Sequence, residues 1–389
     1  MCEDVNFVFP NQTANGSADP STAGFVINCF LLPIICIVGI SLNLVSIFVF
    51  TGIGRANFRP TSAQIYLTAL CGFDIGQLAL STYVLPLQTM EERLRPDAPP
   101  GNYSYESEHA GVKWLFVRSL PIVFPLLMST NCASIWTMVG ITIQRYRAVT
   151  DPLHCRDTTD LLKARVGVLI IACLSCLLNI GNFFRFNWSR DEQGQIESIV
   201  EVDQNECIKY AQLLMYFLGM YLLPLLTIAI LNSVMIWHIK KAQNSDIRPQ
   251  NSASTLEQRA IVMVSAVVTL FFVCHSVAIY NFIGKWRNAD LFRTSVAAWI
   301  INDINNLMIN LNSCLNPFVY LIFTQRFRNI FWEQINTMRT RRRLSNAVLL
   351  SNRAQSLVMH QGGVNGRRKS DCYSGTKLTP HGSYTALAN

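Results

Sequence analysis

The 389-residue chain is half apolar (50%) and only 14% charged, with a formal charge of +8. Soluble domains carry about 25% charged residues, and disorder needs low hydrophobicity with high charge density. Disorder is therefore excluded, and composition argues against an ordinary soluble enzyme and for one membrane domain. The 12 cysteines lie scattered, mostly inside apolar runs where Cys behaves as a small hydrophobe, and no Cys/His spacing suggests zinc.

Seven apolar runs are each long enough for a helix to cross a bilayer core, which takes about 20 residues: 25–51, 63–87, 114–147, 163–186, 209–238, 258–284 and 296–323. They lack the alternation of barrel strands, so the expected fold is all-α, a seven-transmembrane helix bundle. The first 24 residues are polar without Lys or Arg, so the first span is expected to direct insertion itself. The expected organisation is an extracellular tail over 1–24, the membrane domain over 25–323, a short amphipathic helix over 324–335 and a disordered cytoplasmic tail over 336–389.

Charge sets the orientation. With the N-terminus outside, segments 52–62, 145–165, 238–259 and 324–389 are cytoplasmic and hold 22 of the 32 Lys and Arg, as the positive-inside rule requires. Glycosylation sequons at Asn11, Asn15, Asn102 and Asn187 all fall outside. Of the 24 acids, 15 are outside and 7 inside, with Asp74 and Asp303 within spans. The outer surface is then about −5 and the inner about +15. A negative vestibule attracts cations; a solvated rim without a partner is the alternative.

Polar residues inside a span are expensive and read as functional. Asp74 in the second span, Asn43 in the first, Ser134 in the third, and Asn312, Ser313 and Asn316 in the seventh form such a set. They suit either a hydrated pocket for a small hard cation or a helix-packing hydrogen-bond network. The third span ends in Gln144-Arg145-Tyr146, and Glu257 opens the sixth on the same side, where the two charges would pair. The seventh ends in Asn316-Pro317-Phe318-Val319-Tyr320; its proline removes a backbone hydrogen bond and permits a kink.

These motifs, in this order on seven spans, resemble the rhodopsin-like (class A) G-protein-coupled receptors over about residues 25–335. Asn316-Pro317-x-x-Tyr320 and the Arg145-Tyr146 region carry the likeness, with Pro224, Ile135 and Phe271 at the family's connector positions. Asp74, Ser134, Asn312 and Asn316 match its sodium pocket, implying an allosteric sodium ion at Asp74 and no other cofactor. Pro60-Thr61, Tyr66 to Leu70, Leu231-Asn232 and Val273 to Ser276 look like invertebrate FMRFamide-type neuropeptide receptors. The resemblance implies a plasma-membrane receptor that is not an enzyme and binds no nucleic acid. Its partners would be an extracellular peptide, a heterotrimeric G protein engaged through Arg145 and Leu153, arrestin, kinases and membrane lipids. Activation would open the Arg145–Glu257 contact and swing the sixth helix outward.

The pattern is not followed everywhere. Leu120 stands where the family has the third-span cysteine of its extracellular disulfide. Cys207 is then left to pair with Cys2 or Cys29, or to stay free. His275 replaces the usual Trp and Val277 the kink proline; Asn232 replaces a Tyr, and Gln144 an acid. The expected ligand pocket is lined by Leu127, Met128, Asn131, Tyr216, His275, Phe282, Asp303 and Asn306. A cationic amidated peptide of RFamide type would pair its Arg with Asp303 or a loop acid and place its amide at Asn131 or Asn306. Ser345 and Ser370 follow basic residues and resemble kinase sites, with lipid binding by the tail as the alternative. A small-molecule chemosensory receptor of the same fold, and a seven-helix transporter, are the rival readings.

Overall fold

The computed structural model describes residues 20–52, 60–94, 103–104, 110–150, 159–190, 196–201, 206–243, 253–287, 296–323 and 325–365. Helix α1 runs from Pro20–Val26 through a π-helical turn, Ile27–Leu31, into Leu32–Thr51. Its end is set by Gly52, whose φ of 61° is the left-handed conformation that glycine adopts without a Cβ clash. Helix α2 spans Ser62–Leu94 and starts on a reciprocal cap. The Thr61 N–H donates to Gln64 Oε1 at 2.8 Å, and the Gln64 N–H donates to Thr61 Oγ1 at 3.3 Å. Helices α3 (Ala110–Thr150), α4 (Thr159–Leu178), α6 (Ala253–Arg287) and α7 (Val296–Phe323) follow. Between α4 and α6 lies α5, which contains a second π turn: Glu206–Phe217, Leu218–Leu222, Leu223–Gln243.

Helix α3 packs against α2, α4 and α5; α1 joins α2 and α7, and α6 joins α5 and α7, closing the ring around it. The bundle is inverted relative to a soluble protein. Ile34, Ile37, Leu169, Ile170 and Ile230 point outward more than half exposed, while Asn43, Asp74, Gln77, Ser134 and Asn316 are buried. That arrangement suits a lipid surround, where polar groups must face the interior. Five segments, Thr22–Thr51, Ser62–Met90, Phe116–Ala148, Leu161–Leu178 and Tyr210–His238, are long and apolar enough to span a bilayer on composition alone. Helix α7 is more polar because it carries Asn302, Asn305, Asn306, Asn310, Asn312 and Asn316.

The fourth span ends at Leu178 rather than 186. Asn179 leaves helical geometry (φ −101°, ψ 9°), and a 3₁₀ turn, Ile180–Phe184, follows. Asn179 Nδ2 donates back to the Ser175 carbonyl at 2.8 Å, the local bonding by which Asn competes with helix continuation. The outer loops hold a three-stranded sheet ordered β1-β3-β2. Strands β2 (Phe186–Arg190) and β3 (Ile196–Glu201) form an antiparallel hairpin, and β1 (Tyr103–Ser104) adds to β3. Phe186 of β2 meets Phe124 of α3 edge-to-face at 5.8 Å. It also packs on a cluster of Val84, Phe116, Val117, Leu120 and Leu127. Leu120, at the position of the family's cysteine, thus supplies apolar surface under the hairpin.

The chain divides into two units, residues 1–330 and 331–389. Helix α8 spans Gln325–Asn365. In its first turn Phe327 packs on Phe50 (5.3 Å) and Tyr320 (6.4 Å), and Arg328 donates to the Ile322 carbonyl. In the second unit the helix continues to Asn365, past the expected end at 335. Residues 336–361 contain neither Pro nor Gly and are rich in Arg and Leu, good helix formers.

Replacing the half-buried Phe186 by Ala should lower stability by about 2 kcal/mol. The same change at the exposed Trp188, a neighbour on the same strand, should cost under about 0.5 kcal/mol. Thermal unfolding of the two purified variants checks the contrast.

Candidate functional site

Asp74 of α2 is completely buried, and both its carboxylate oxygens accept hydrogen bonds from other helices. Ser134 Oγ of α3 donates to Oδ1 at 2.5 Å, and Asn316 Nδ2 of α7 donates to Oδ2 at 2.9 Å. A further layer extends the junction to α1. Ser313 Oγ donates to Gln77 Oε1 at 3.2 Å. Asn43 Nδ2 donates to the carbonyls of Ser313 (3.1 Å) and Gly39 (2.9 Å). The Ser313 carbonyl needs this partner, because residue 317, its normal helical donor four positions on, is a proline without an N–H. The absent side chain of Gly39 allows the approach: a Cβ there would lie 2.8 Å from Leu78 and 3.2 Å from the Cys314 backbone.

Asn312 is buried one turn from Asn316 but makes no hydrogen bond to Asp74. The expected sodium-pocket set therefore assembles as Asp74, Ser134 and Asn316, supported by Asn43, Ser313 and Gln77. Sequence reading missed Gln77, although an amide three residues beyond Asp74 in an apolar span was a usable signal.

The connector residues also assemble. Ile135 and Phe271 share one cluster with Cys132, Met220, Tyr221 and Ala278. His275 stacks on Phe271 at 4.1 Å, its Nδ1 lies 2.9 Å from the Phe271 carbonyl, and its ring leans on Tyr221 at 5.4 Å. The hydroxyls of Tyr221 and Tyr216 are 3.0 Å apart, and that of Tyr216 reaches Met128 Sδ at 4.0 Å. Tyr221 lies in the α5 π turn, beside Gly219, whose carbonyl accepts from Trp136 Nε1 of α3 at 2.9 Å. The extra residue of a π turn leaves such carbonyls free and rotates the helix face, a change no hydropathy pattern announces. Pro224, just beyond, is buried.

The expected ligand-pocket residues divide. Met128, Tyr216 and His275 form the continuous array just described between α3, α5 and α6. Phe282 continues it outward, stacked on Phe217 at 3.9 Å and near Trp286 at 5.9 Å. Asn131 is buried on α3. Leu127 faces the α2–α3 cluster instead. Asp303 is placed elsewhere: its Oδ1 accepts from Asn28 Nδ2 of α1 at 2.9 Å, on the α1, α2 and α7 side. The Asn306 carbonyl accepts from Asn310 within α7. Asn281 of α6 was missed; its amide is buried with neither polar atom partnered among the described residues.

At the opposite end, Arg145 Nε, the Tyr320 hydroxyl and both amide atoms of Asn232 are buried without a partner among the described residues. Glu257, Leu153, Cys2, Cys207, Asn11, Asn15, Asn102 and Ser370 lie outside the described side chains. Asn187 is exposed on β2, and Ser345 is exposed on α8.

Helices with an apolar exterior packed around a buried carboxylate define a multi-pass membrane protein. The description "7 transmembrane receptor (rhodopsin family)" matches residues 103–320, and the chain belongs to that family, a family of receptors rather than enzymes. Among curated relatives it is 26% identical to an FMRFamide receptor of Drosophila melanogaster, covering 85% of this chain and 56% of that protein's length. It is 24% identical to the FMRFamide peptide receptor frpr-18 of Caenorhabditis elegans (77% and 67%). Galanin receptor 2a of Danio rerio is 22% identical (79% and 77%). The chain thus spans little more than half the length of the Drosophila relative.

Asn43→Ala should destabilise the bundle by about 1–3 kcal/mol, since it orphans the Ser313 carbonyl. Adding Pro317→Ala, which restores an N–H to that carbonyl, should recover part of the loss. A thermal-unfolding double-mutant cycle reads this as a non-additive pair.

Proposed function

We propose that the chain is a peptide-activated G-protein-coupled receptor with its N-terminus outside the cell, responding to a cationic amidated peptide of the RFamide type. The carrying observation is the Asp74 junction of α2, α3 and α7, on a chain whose acids concentrate in the segments expected outside and whose Lys and Arg concentrate in those expected inside. The printed names of the relatives, FMRFamide and galanin receptors, support a peptide ligand. The exposed Asn187 sequon and the concentration of Lys and Arg in the inner segments support the orientation.

The peptide's amide end enters the array of Met128, Tyr216, His275 and Phe282. Agonist binds the active packing better than the resting one and shifts the population toward it. The connector of Ile135, Phe271, His275 and Tyr221 repacks, α6 moves outward, and Arg145 becomes available to the G protein. Glu257 is the restraint on Arg145 in the resting state. A sodium ion fits the junction: Asp74 supplies charge, Ser134 an oxygen, and the buried Asn316 Oδ1 has no other partner. When bound, the ion would neutralise the carboxylate and favour the resting packing. Kinases and arrestin act on the C-terminal segment, where Ser345 is exposed.

Cells expressing the receptor with several G proteins should respond to amidated Arg-containing peptides at submicromolar concentration. A response to small metabolites alone would support the chemosensory reading instead. Glu257→Ala should raise ligand-free signalling severalfold, and an unchanged baseline would remove Glu257 from the restraint.

A further inference from the structure

Near the start of α2 one aromatic side chain fills the seam between three helices. Tyr66, in the second turn of α2, is 7% exposed, and α2 packs against both α3 and α4. The Tyr66 ring lies against Gly140 of α3, where an added Cβ would stand 2.8 Å from Cε1 and 3.0 Å from Cδ1. Its hydroxyl end lies against Gly167 of α4, where an added Cβ would overlap Oη and stand 3.2 Å from Cζ. Neither glycine has a positive φ, so what each supplies is space rather than backbone freedom. Two helices thus present a glycine to one side chain of a third. The ring carbons take up the first space and the hydroxyl the second.

The surroundings are equally tight. Ala164, one turn before Gly167, is fully buried. Ile171, one turn after it, would lie 3.5 Å from a Cβ at Gly140, so α4 turns the same face to α3. A close-packed interior transmits a displacement rather than absorbing it. A rigid ring between two glycines therefore admits one spacing of the three helices. The seam lies close to the inner end of α3: Gly140 is five residues before Arg145, about 7.5 Å along the helix. It lies apart from the Asp74 junction, which is eight residues further along α2, or about 12 Å.

We propose that Tyr66 is a positioning residue for G-protein engagement. It wedges α2 against α3 and α4, fixes the height and rotation at which α3 carries Arg145, and holds this corner still while α6 moves. Tyr66 acts through α3 and needs no contact with the G protein. This rests on the G-protein reading above and adds to it the part of the inner face that stays fixed.

The test uses full-length receptor at matched surface expression and a panel of amidated peptides containing one Arg, led by Phe-Met-Arg-Phe-amide. Two quantities are read: peptide affinity without G protein, and nucleotide exchange on a mixture of G proteins, with peptide and without. Gly167→Ala forces the hydroxyl out of its place and should lower exchange about tenfold, with affinity moving less than about threefold. Tyr66→Phe removes the overlapping atom, so in the Gly167→Ala receptor it should restore exchange to within about threefold of the parent. Gly140→Ala should cost a similar factor, and Tyr66→Phe should not restore it, because the ring carbons that meet Gly140 remain. Tyr66→Leu removes the ring without creating a clash. It should lower exchange about tenfold with affinity held, and it decides the question if the glycine variants fail to reach the surface. A purely structural lesion would lower affinity and exchange together. Equal losses of both, parental exchange in Gly167→Ala or Tyr66→Leu, or a Gly167→Ala loss that Tyr66→Phe leaves in place would overturn the positioning role while leaving the receptor reading standing. No exchange by the parent, with any peptide or without one, would overturn the G-protein reading and the positioning role together.

Discussion

Everything in the membrane-spanning unit is organised by one buried carboxylate. Asp74 lies at zero exposure and takes its two hydrogen bonds from Ser134 on α3 and Asn316 on α7. A charge withdrawn from water this far is tolerable only with such partners, so the three helices are held at one depth and in one rotation. The backbone beside it is arranged to the same end. Pro317 frees the Ser313 carbonyl, Asn43 takes it up, and Gly39 lets α1 come close enough to do so. The helix interruption and the interhelical bond are thus two sides of one arrangement.

The unpaired groups at the basic end gain their meaning from this centre. Arg145 Nε, the Tyr320 hydroxyl and the Asn232 amide are buried without partners among the described residues, a costly condition in a settled structure. Tyr320 is one turn past Asn316, so a change in how α7 is held at Asp74 moves an unsatisfied hydroxyl directly. Asn232, standing where the family commonly has a tyrosine, gives α5 an amide with both a donor and an acceptor at that end.

How much of this was legible in the sequence follows from which physics leaves a mark on it. Lipid demands apolar runs, so seven candidate spans could be found, five of them long and apolar enough on composition alone among the described residues. Asp74, Ser134 and Asn316 were readable because a polar residue in such a run has few cheap explanations. Helix ends were read less well: Asn179 stopped α4 early, and α8 ran on where no proline or glycine stopped it. The two π turns left no trace in hydropathy, and they decide that Tyr221 and Asn28 point inward. Asp303 was found as a candidate but assigned to the wrong neighbours. Its partner Asn28 was visible as an amide in the first apolar run, yet the rotation that joins them depends on the π turn. The outer sheet escaped because its short strands pair across two separate loops, and Phe186 joins it to α3.

The central claim is that the α2–α7 contact at Asp74 is a specific carboxylate–amide pair on which both packing and signalling depend. The direct measurement is a reciprocal exchange, Asp74→Asn with Asn316→Asp, compared with each single change. Both thermal stability and peptide-driven G-protein activation are read at matched surface expression. Each single change should impair both readouts, and the exchange, which restores one carboxylate facing one amide, should recover a substantial part of each. An exchange no better than the worse single variant, or an Asp74→Asn receptor indistinguishable from the parent, would contradict it.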